Sequence, residues 1–438
     1  MNERMKQTVH SVLAALLLLG ATPAVAQLRL TITQGVNDPI PIAIVPFSRA
    51  VPADGGLDVA QVIQRDLESS GRFKAMARTD MVFTPTTSAE VDSAGWKQQR
   101  VDYVVVGRVS AQPDGQVRVD AELVNVLTGQ RVAGPFAIAQ PASLRNAAHR
   151  VADAIYQQIT GVRGAFATRI AYVSVDGRPP KQTYELYVAD ADGANRTRIA
   201  ASPLPIMSPA WSPDGEWLAY VSFERRVSAV FVQHRRSGKK TMVSARAGIN
   251  GAPTFSPDGK KLALTLSGSN GNLDIYLLEL ANGQLTRLTD DPGIDTEAVF
   301  VPNDGNTLYF TSDRSGSPQI YRMTVGSKER PKRVTFTGGY NARPRVSPDG
   351  KQLAILTLDD GSYRIGIQDL ATGTVLVLSK GRQEESPSFA PNGAMLIFAG
   401  RDRGQGVLQT VSVDGQTSAR LDADAGEVRE PVWGPFLP

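Results

Sequence analysis

The sequence predicts an α+β multidomain protein, an N-terminal α/β domain followed by a six-bladed β-propeller closed by its two chain ends. Three observations carry that prediction. A strand-turn-strand unit recurs about every 44 residues from residue 169 onward. One further unit is split between the two ends of the repeat region. The stretch 36–160 lacks the repeat and alternates short apolar runs with segments of helical spacing.

The repeat is clearest in its turns. Ser-Pro-Asp-Gly stands at 212–215, 256–259 and 347–350, Val-Pro-Asn-Asp-Gly at 301–305 and Ala-Pro-Asn-Gly at 390–393. Proline presets the first turn dihedral, Asp or Asn bonds back to the backbone, and glycine takes the positive φ that lets a hairpin close. β-rich runs return from these turns at 217–222, 261–266, 308–311 and 395–399. A second anchor, the glycine turns at Gly193, Gly238, Gly283, Gly326, Gly373 and Gly415, repeats every 42 to 47 residues. Four strands per period is the signature of propeller blades. Residues 169–174 reproduce the second strand at 217–222 with no first strand before them, and 432–435 reproduce a first strand with no return. Domain 169–438 therefore comprises five whole blades and one shared by its ends, a closure that removes exposed sheet edges.

In domain 36–160, segments 40–47 and 102–109 read as buried strands and 58–70 and 143–160 as helices, the last with an apolar stripe at Leu144, Ala148, Val151, Ile155 and Ile159. Residues 161–168 form a short linker. Residues 27–35 alternate polar with apolar, a strand in need of a sheet. At the N-terminus, Arg4 and Lys6 precede an apolar run at 12–19 and then Ala24, Val25 and Ala26, so 1–26 reads as a signal peptide cleaved between Ala26 and Gln27. Eight apolar residues are too few for a membrane anchor, which needs about 20 in a helix. No later segment is a spanning candidate, and the mature chain is expected to be a soluble exported monomer with no direct membrane span. It contains no cysteine, so packing alone must hold it.

Catalytic signatures are sparse. A formal charge of +4 over 438 residues does not indicate nucleic acid. Of three histidines, His10 leaves with the signal, while His149 and His234 read as solvated; no zinc set can be assembled. Neither a Gly-x-Ser elbow nor a glycine-rich phosphate loop occurs. The segments leading into the first strands converge on one mouth of the channel and carry Asp295, Glu297, Glu384, Glu385, Glu427 and Glu430 among Asn250, Asn341, Arg343 and Arg429. So mixed a ring suits polar recognition better than a glycosidase, which needs two carboxyls at a fixed separation. No cofactor is expected, calcium on these carboxylates being the one alternative. A basic cluster on one blade, Arg225, Arg226, Arg235, Arg236, Lys239, Lys240 and Arg246 against Glu224, reads as charged outer strands that block sheet pairing.

One ordered set of segments stands out: 27–35, Pro-Ile-Ala-Ile-Val-Pro-Phe at 41–47, Gly-Val-Arg-Gly-Ala-Phe at 161–166, Met-Ser-Pro-Ala-Trp-Ser-Pro-Asp-Gly at 207–215 and Asn-Gly-Ala-Pro at 250–253. In that order they resemble the TolB family of the Tol–Pal envelope system. The resemblance implies a non-enzymatic periplasmic protein that supports outer-membrane integrity, cell division and protein import. It further implies that the propeller mouth receives the lipoprotein Pal through Met207, Asn250, Ala252, Thr296, Glu297, Asn341, Glu385 and Glu430. The terminal segment Leu28, Arg29, Leu30, Thr31, Ile32, Thr33, Gln34 and Gly35 would dock on TolA, as an unpaired alternating strand is suited to do. Gln27 and Thr33 stand where the family's segment is commonly acidic, and Ile249 where some relatives carry histidine. With the mouth empty, 27–35 is expected to pack between the domains. An exported propeller hydrolase with an axial carboxylate site is the alternative.

Overall fold

Asp58 opens the first helix, α1 (Val59–Ser69), by accepting a hydrogen bond from the Gln61 N–H at 3.0 Å. Gly161 closes the helix Leu144–Thr160 in the left-handed conformation with φ 76°, its N–H bonding Gln157 O at 2.8 Å. These caps explain why both helices fall within a residue or two of the boundaries expected from sequence. In all, the computed structural model describes residues 28–34, 38–49, 57–423 and 426–437. The signal segment, Ala26, Gln27 and Gly35 lie outside the described residues.

α1, a short helix α2 (Ser93–Gln98) and α3 (Leu144–Thr160) flank a mixed sheet. Strands Phe73–Ala75, Ile40–Ile44 and Tyr103–Ala111 run parallel, and Val117–Asn125 continues the sheet antiparallel. Ile42, Ile63, Leu67, Val105, Leu123, Val151 and Ile155 form its buried core. The segment expected to be a linker is tethered to α3, since Asp153 accepts the N–H groups of Phe166 at 2.7 Å and Ala167 at 3.2 Å.

The remainder is a six-bladed propeller. Blades 1 to 5 are four-stranded antiparallel units beginning with Ile206–Trp211, Asn250–Phe255, Asp295–Val301, Asn341–Val346 and Glu385–Phe389. Blade 6 is shared as expected. Its innermost strand, Glu427–Trp433, is the last of the chain and pairs antiparallel with Arg169–Asp176, Trp433 opposite Ile170. At Ser212–Gly215, Gly215 has φ 69°, and the Ser212 hydroxyl accepts from the Trp217 N–H at 2.9 Å, which stitches the turn to the returning strand. In the longer third turn the positive φ falls on Asn303 (65°), and Asp304 with Gly305 already belongs to the returning strand.

Residues Leu28–Gln34 find their sheet on the outer edge of blade 5, where they form a fifth strand antiparallel to Ser418–Ala423 with α1 alongside. Leu30 is opposite Leu421 and Ile32 opposite Ala419; the ladder slips between Ile32 and Gln34.

Three local readings need correction. His149 is not solvated but 1% exposed, because the propeller covers the α3 face that its own domain leaves open. With Asp66 and Asp192 it forms a group whose carboxylate and imidazole atoms lie within 4.8 Å of one another, so three side chains of metal-ligating type do come together among the described residues. The basic cluster on blade 1 faces Glu216 as well as Glu224: Arg235 reaches Glu216 at 2.8 Å and Arg236 at 3.1 Å.

Candidate recognition site on the propeller axis

All six innermost strands lose register with their neighbours at the same point. The residue at each slip has a positive φ: Ser208 (52°), Ala252 (44°), Glu297 (58°), Arg343 (53°), Ser386 (56°) and Glu430 (49°). A left-handed non-glycine residue costs about 1 to 2 kcal/mol, so six in a ring is strain concentrated at one place. Such bulges re-aim side chains. In five of the six the next residue is proline, which has no N–H to lose from the ladder, so the break there costs little.

The ring is electrostatically joined. Arg343 Nε lies 3.0 Å from Glu297 Oε1, and its guanidinium donates to the Ser386 hydroxyl and approaches Glu385 Oε2 at 3.9 Å. Thr311 Oγ1 donates to Glu297 Oε2 at 3.1 Å, and Glu430 accepts from the Ser208 backbone N–H. Burial raises the Glu430 carboxyl, with Arg343 pulling the other way. Burial opposes the charge on Arg343, but Glu297, Glu430 and Glu385 outweigh it and raise that group. Arg345, two residues on, is lowered by burial and bonds Pro344 O at 2.8 Å.

Below the ring, a cavity of about 330 Å³ is walled by Trp211, Phe255, Phe300, Phe389 and Trp433. Above it, a second cavity of about 490 Å³ is bounded by Tyr340, Tyr363, Glu385, Arg401, Glu427 and Arg429. Arg343 lines both, so the two cavities meet at its side chain, the second lying against blades 4, 5 and 6. Around the upper mouth stand Ile249, 48% exposed, and Ile294, 45% exposed, each immediately ahead of an innermost strand.

Among the residues assigned by resemblance, Ala252, Glu297 and Glu430 come together in the ring. Met207, Thr296 and Glu385 each precede a ring residue; Met207 packs partly into the core between blades 1 and 2, and Thr296 Oγ1 lies 3.2 Å from Thr265 Oγ1. Asn250 and Asn341 are fully buried within their blades. Asn250 Oδ1 accepts from Ser244 Oγ at 2.6 Å and the Arg246 N–H at 3.0 Å, and Asn341 Nδ2 donates to Gln319 Oε1 at 2.9 Å and Thr337 O at 2.8 Å. They brace the loops at the mouth. Ser208, Arg343, Arg345 and Ser386 were not assigned from the resemblance. Ser208, Arg343 and Ser386 carry a visible signal: each stands directly before a proline and three residues ahead of a position that holds Trp or Phe in every blade but the fourth, where it is Val346. For the N-terminal segment, the described part is the backbone ladder of 28–34 on blade 5.

Fold and axis together define a two-domain β-propeller protein whose ring-shaped interior is polar and charged. Residues 28–132 match the family model described as the TolB amino-terminal domain, and 156–437 match the TolB beta propeller domain. The chain is 45% identical over 442 residues to the Tol-Pal system protein TolB of Xanthomonas oryzae pv. oryzae (strain PXO99A), covering 99% of each chain. It is 45% identical over 430 residues to that of Xanthomonas campestris pv. campestris (strain B100), covering 97% of this chain and 96% of that one. The crystal structure of TolB from Acinetobacter baumannii superposes with a TM-score of 0.86 at 39% identity, covering 94% of this chain and all of that one. The chain belongs to the TolB family, a component of the Tol–Pal system. Among the described residues no helix is long and apolar enough to cross a membrane.

Proposed function

We propose that the mature chain works in the periplasm as a non-enzymatic adaptor. It binds the outer-membrane lipoprotein Pal at the propeller mouth and the inner-membrane protein TolA through 27–35, and so supports outer-membrane integrity and constriction at division. The ring of left-handed residues beneath an apolar rim carries this reading. It offers a rigid concave surface, with Ile249 and Ile294 for apolar contact and Glu385, Arg401 and Arg429 for polar specificity, as interfaces require. Glu297 is committed to Arg343 and Thr311, and Glu430 to the Ser208 N–H, which supports recognition over an acid/nucleophile pair. Residues 28–34 already form a strand ladder, so TolA would have to compete with blade 5 for them.

The test is capture from detergent-solubilised envelope with the immobilised mature chain. Retention of a Pal-like and a TolA-like protein supports the reading. Retention of neither contradicts it.

A further inference from the structure

Below the ring, the propeller axis holds a cation that the fold leaves uncompensated. Two residues beyond each slip, Ala210, Thr254, Val299, Arg345, Ser388 and Val432 line the lower cavity, one from each blade. Five of these side chains are small and neutral, and Arg345 alone carries a charge. Its Nη1 donates to the adjacent carbonyl of Pro344 at 2.8 Å, and among the described residues its guanidinium pairs with no carboxylate. Glu297, Arg343 and Glu430 also line the cavity, but each is already engaged. Arg343 binds both oxygens of Glu297, and Glu430 accepts from the Ser208 N–H. Burial is the largest influence on Arg345 and opposes its charge; Glu297 and Glu430 favour the charge and Arg343 opposes it. Buried charges are ordinarily paired, so a guanidinium placed here without a carboxylate asks for one from outside.

The rest of the cavity has the make-up of a ligand site. Its volume of about 330 Å³ falls at the lower end of the ~300–1,000 Å³ usual for small-molecule pockets. Trp211, Phe255, Phe300, Phe389 and Trp433 give it apolar walls. Ser388, on the blade next to Arg345, accepts from the Trp433 N–H at 2.9 Å, which leaves its own hydroxyl proton to donate. The lining reaches Ser212, Pro213 and Pro391, in the turns at the ends of the innermost strands opposite the mouth.

We propose that the lower cavity binds a small monocarboxylate with an apolar body, the carboxylate held by the Arg345 guanidinium and the Ser388 hydroxyl and the body laid against the aromatic walls. A guanidinium grips a carboxylate by two parallel hydrogen bonds, a geometry that the single oxygen of a neutral amide does not match. One uncompensated positive charge calls for one negative charge. Phosphate, close to a dianion at neutral pH, would bring a second to face Glu297 and Glu430. The site stands apart from the partners proposed for the mouth and for 27–35, and needs neither to be bound.

Benzoate is the probe, with benzamide as its neutral counterpart, both titrated by calorimetry into the full mature chain near pH 7 in carboxylate-free buffer. The site predicts one benzoate per chain, bound at least about tenfold more tightly than benzamide. Arg345→Met, which keeps an apolar stem and removes the charge, should weaken benzoate by about tenfold or more. Benzoate should raise the melting temperature of the wild type and leave that of Arg345→Met unchanged. Arg330→Gln, which removes an exposed cation of blade 3, should keep benzoate affinity within about twofold. Benzoate that does not saturate below about 10 mM, that binds no more tightly than benzamide, or that binds Arg345→Met as well as the wild type overturns the site. Phosphate binding as tightly as benzoate would make the cavity a general anion trap and overturn the apolar carboxylate. If Arg345→Met does not fold, the wild-type titrations with benzoate and benzamide decide alone.

Discussion

Arg343 binds both oxygens of Glu297, Nε to Oε1 at 3.0 Å and the backbone N–H to Oε2 at 3.1 Å, so one residue of blade 4 is fastened to one of blade 3 by side chain and main chain together. The left-handed φ of both residues accompanies this double contact. It ties strain in two neighbouring blades to a single charge-assisted bond.

That pairing predicts strong coupling. Glu297→Gln and Arg343→Gln, combined in a double-mutant cycle by urea unfolding, should show an interaction of about 1 to 2 kcal/mol. Arg343→Gln alone should cost more than Glu297→Gln, since it leaves Glu297 and the buried Glu430 without their shared cation. Additive single effects would mean that the contact does no work in the fold.

Ala252 has a small side chain at a ring position, with the lower cavity beyond it. Ala252→Lys should abolish Pal binding, measured by calorimetry, while the melting temperature falls little and TolA binding persists. Undiminished Pal binding would remove the ring from the interface.

Asn250 is predicted to matter through stability. Asn250→Ala strands the Ser244 hydroxyl and the Arg246 N–H, a loss of about 2 kcal/mol by denaturant unfolding. Asn341→Ala should behave alike through Gln319 and Thr337. Pal affinity lost with no change in stability would instead make these side chains direct contacts.

Burial pushes the Asp153 carboxyl up to about 6, although the Phe166 and Ala167 N–H groups pull it down. A raised acid contributes stability that is full below its unfolded value of 3.8 and is lost as pH rises through about 6. Thermal melts across that window should show a shallower pH dependence in Asp153→Asn than in the wild type, on a lower baseline because an amide oxygen replaces the carboxylate that accepts both N–H groups. Equal slopes would contradict the assignment.

The propeller could be read from the sequence because its information is local and repeated. Each Pro-Asp-Gly turn specifies a reversal by the dihedrals of three residues, and the split unit at 169–174 and 432–435 specifies the closure. The ring could be read only in part. Positive φ at Glu297 or Arg343 leaves no mark in residue type, whereas the prolines behind five ring positions do. His149 was misread for a different reason. It lies off the apolar stripe of α3, and what buries it is a turn at Asp192, more than forty residues away in another domain. No periodicity within one helix records a neighbour of that kind.

The two-surface account is tested most directly by removing residues 27–35 from the mature chain and titrating purified Pal and the TolA C-terminal domain in turn. TolA binding should vanish while Pal affinity stays within about twofold, because the ring and the strand are separate structures. Loss of both affinities, or retention of TolA binding, would contradict it.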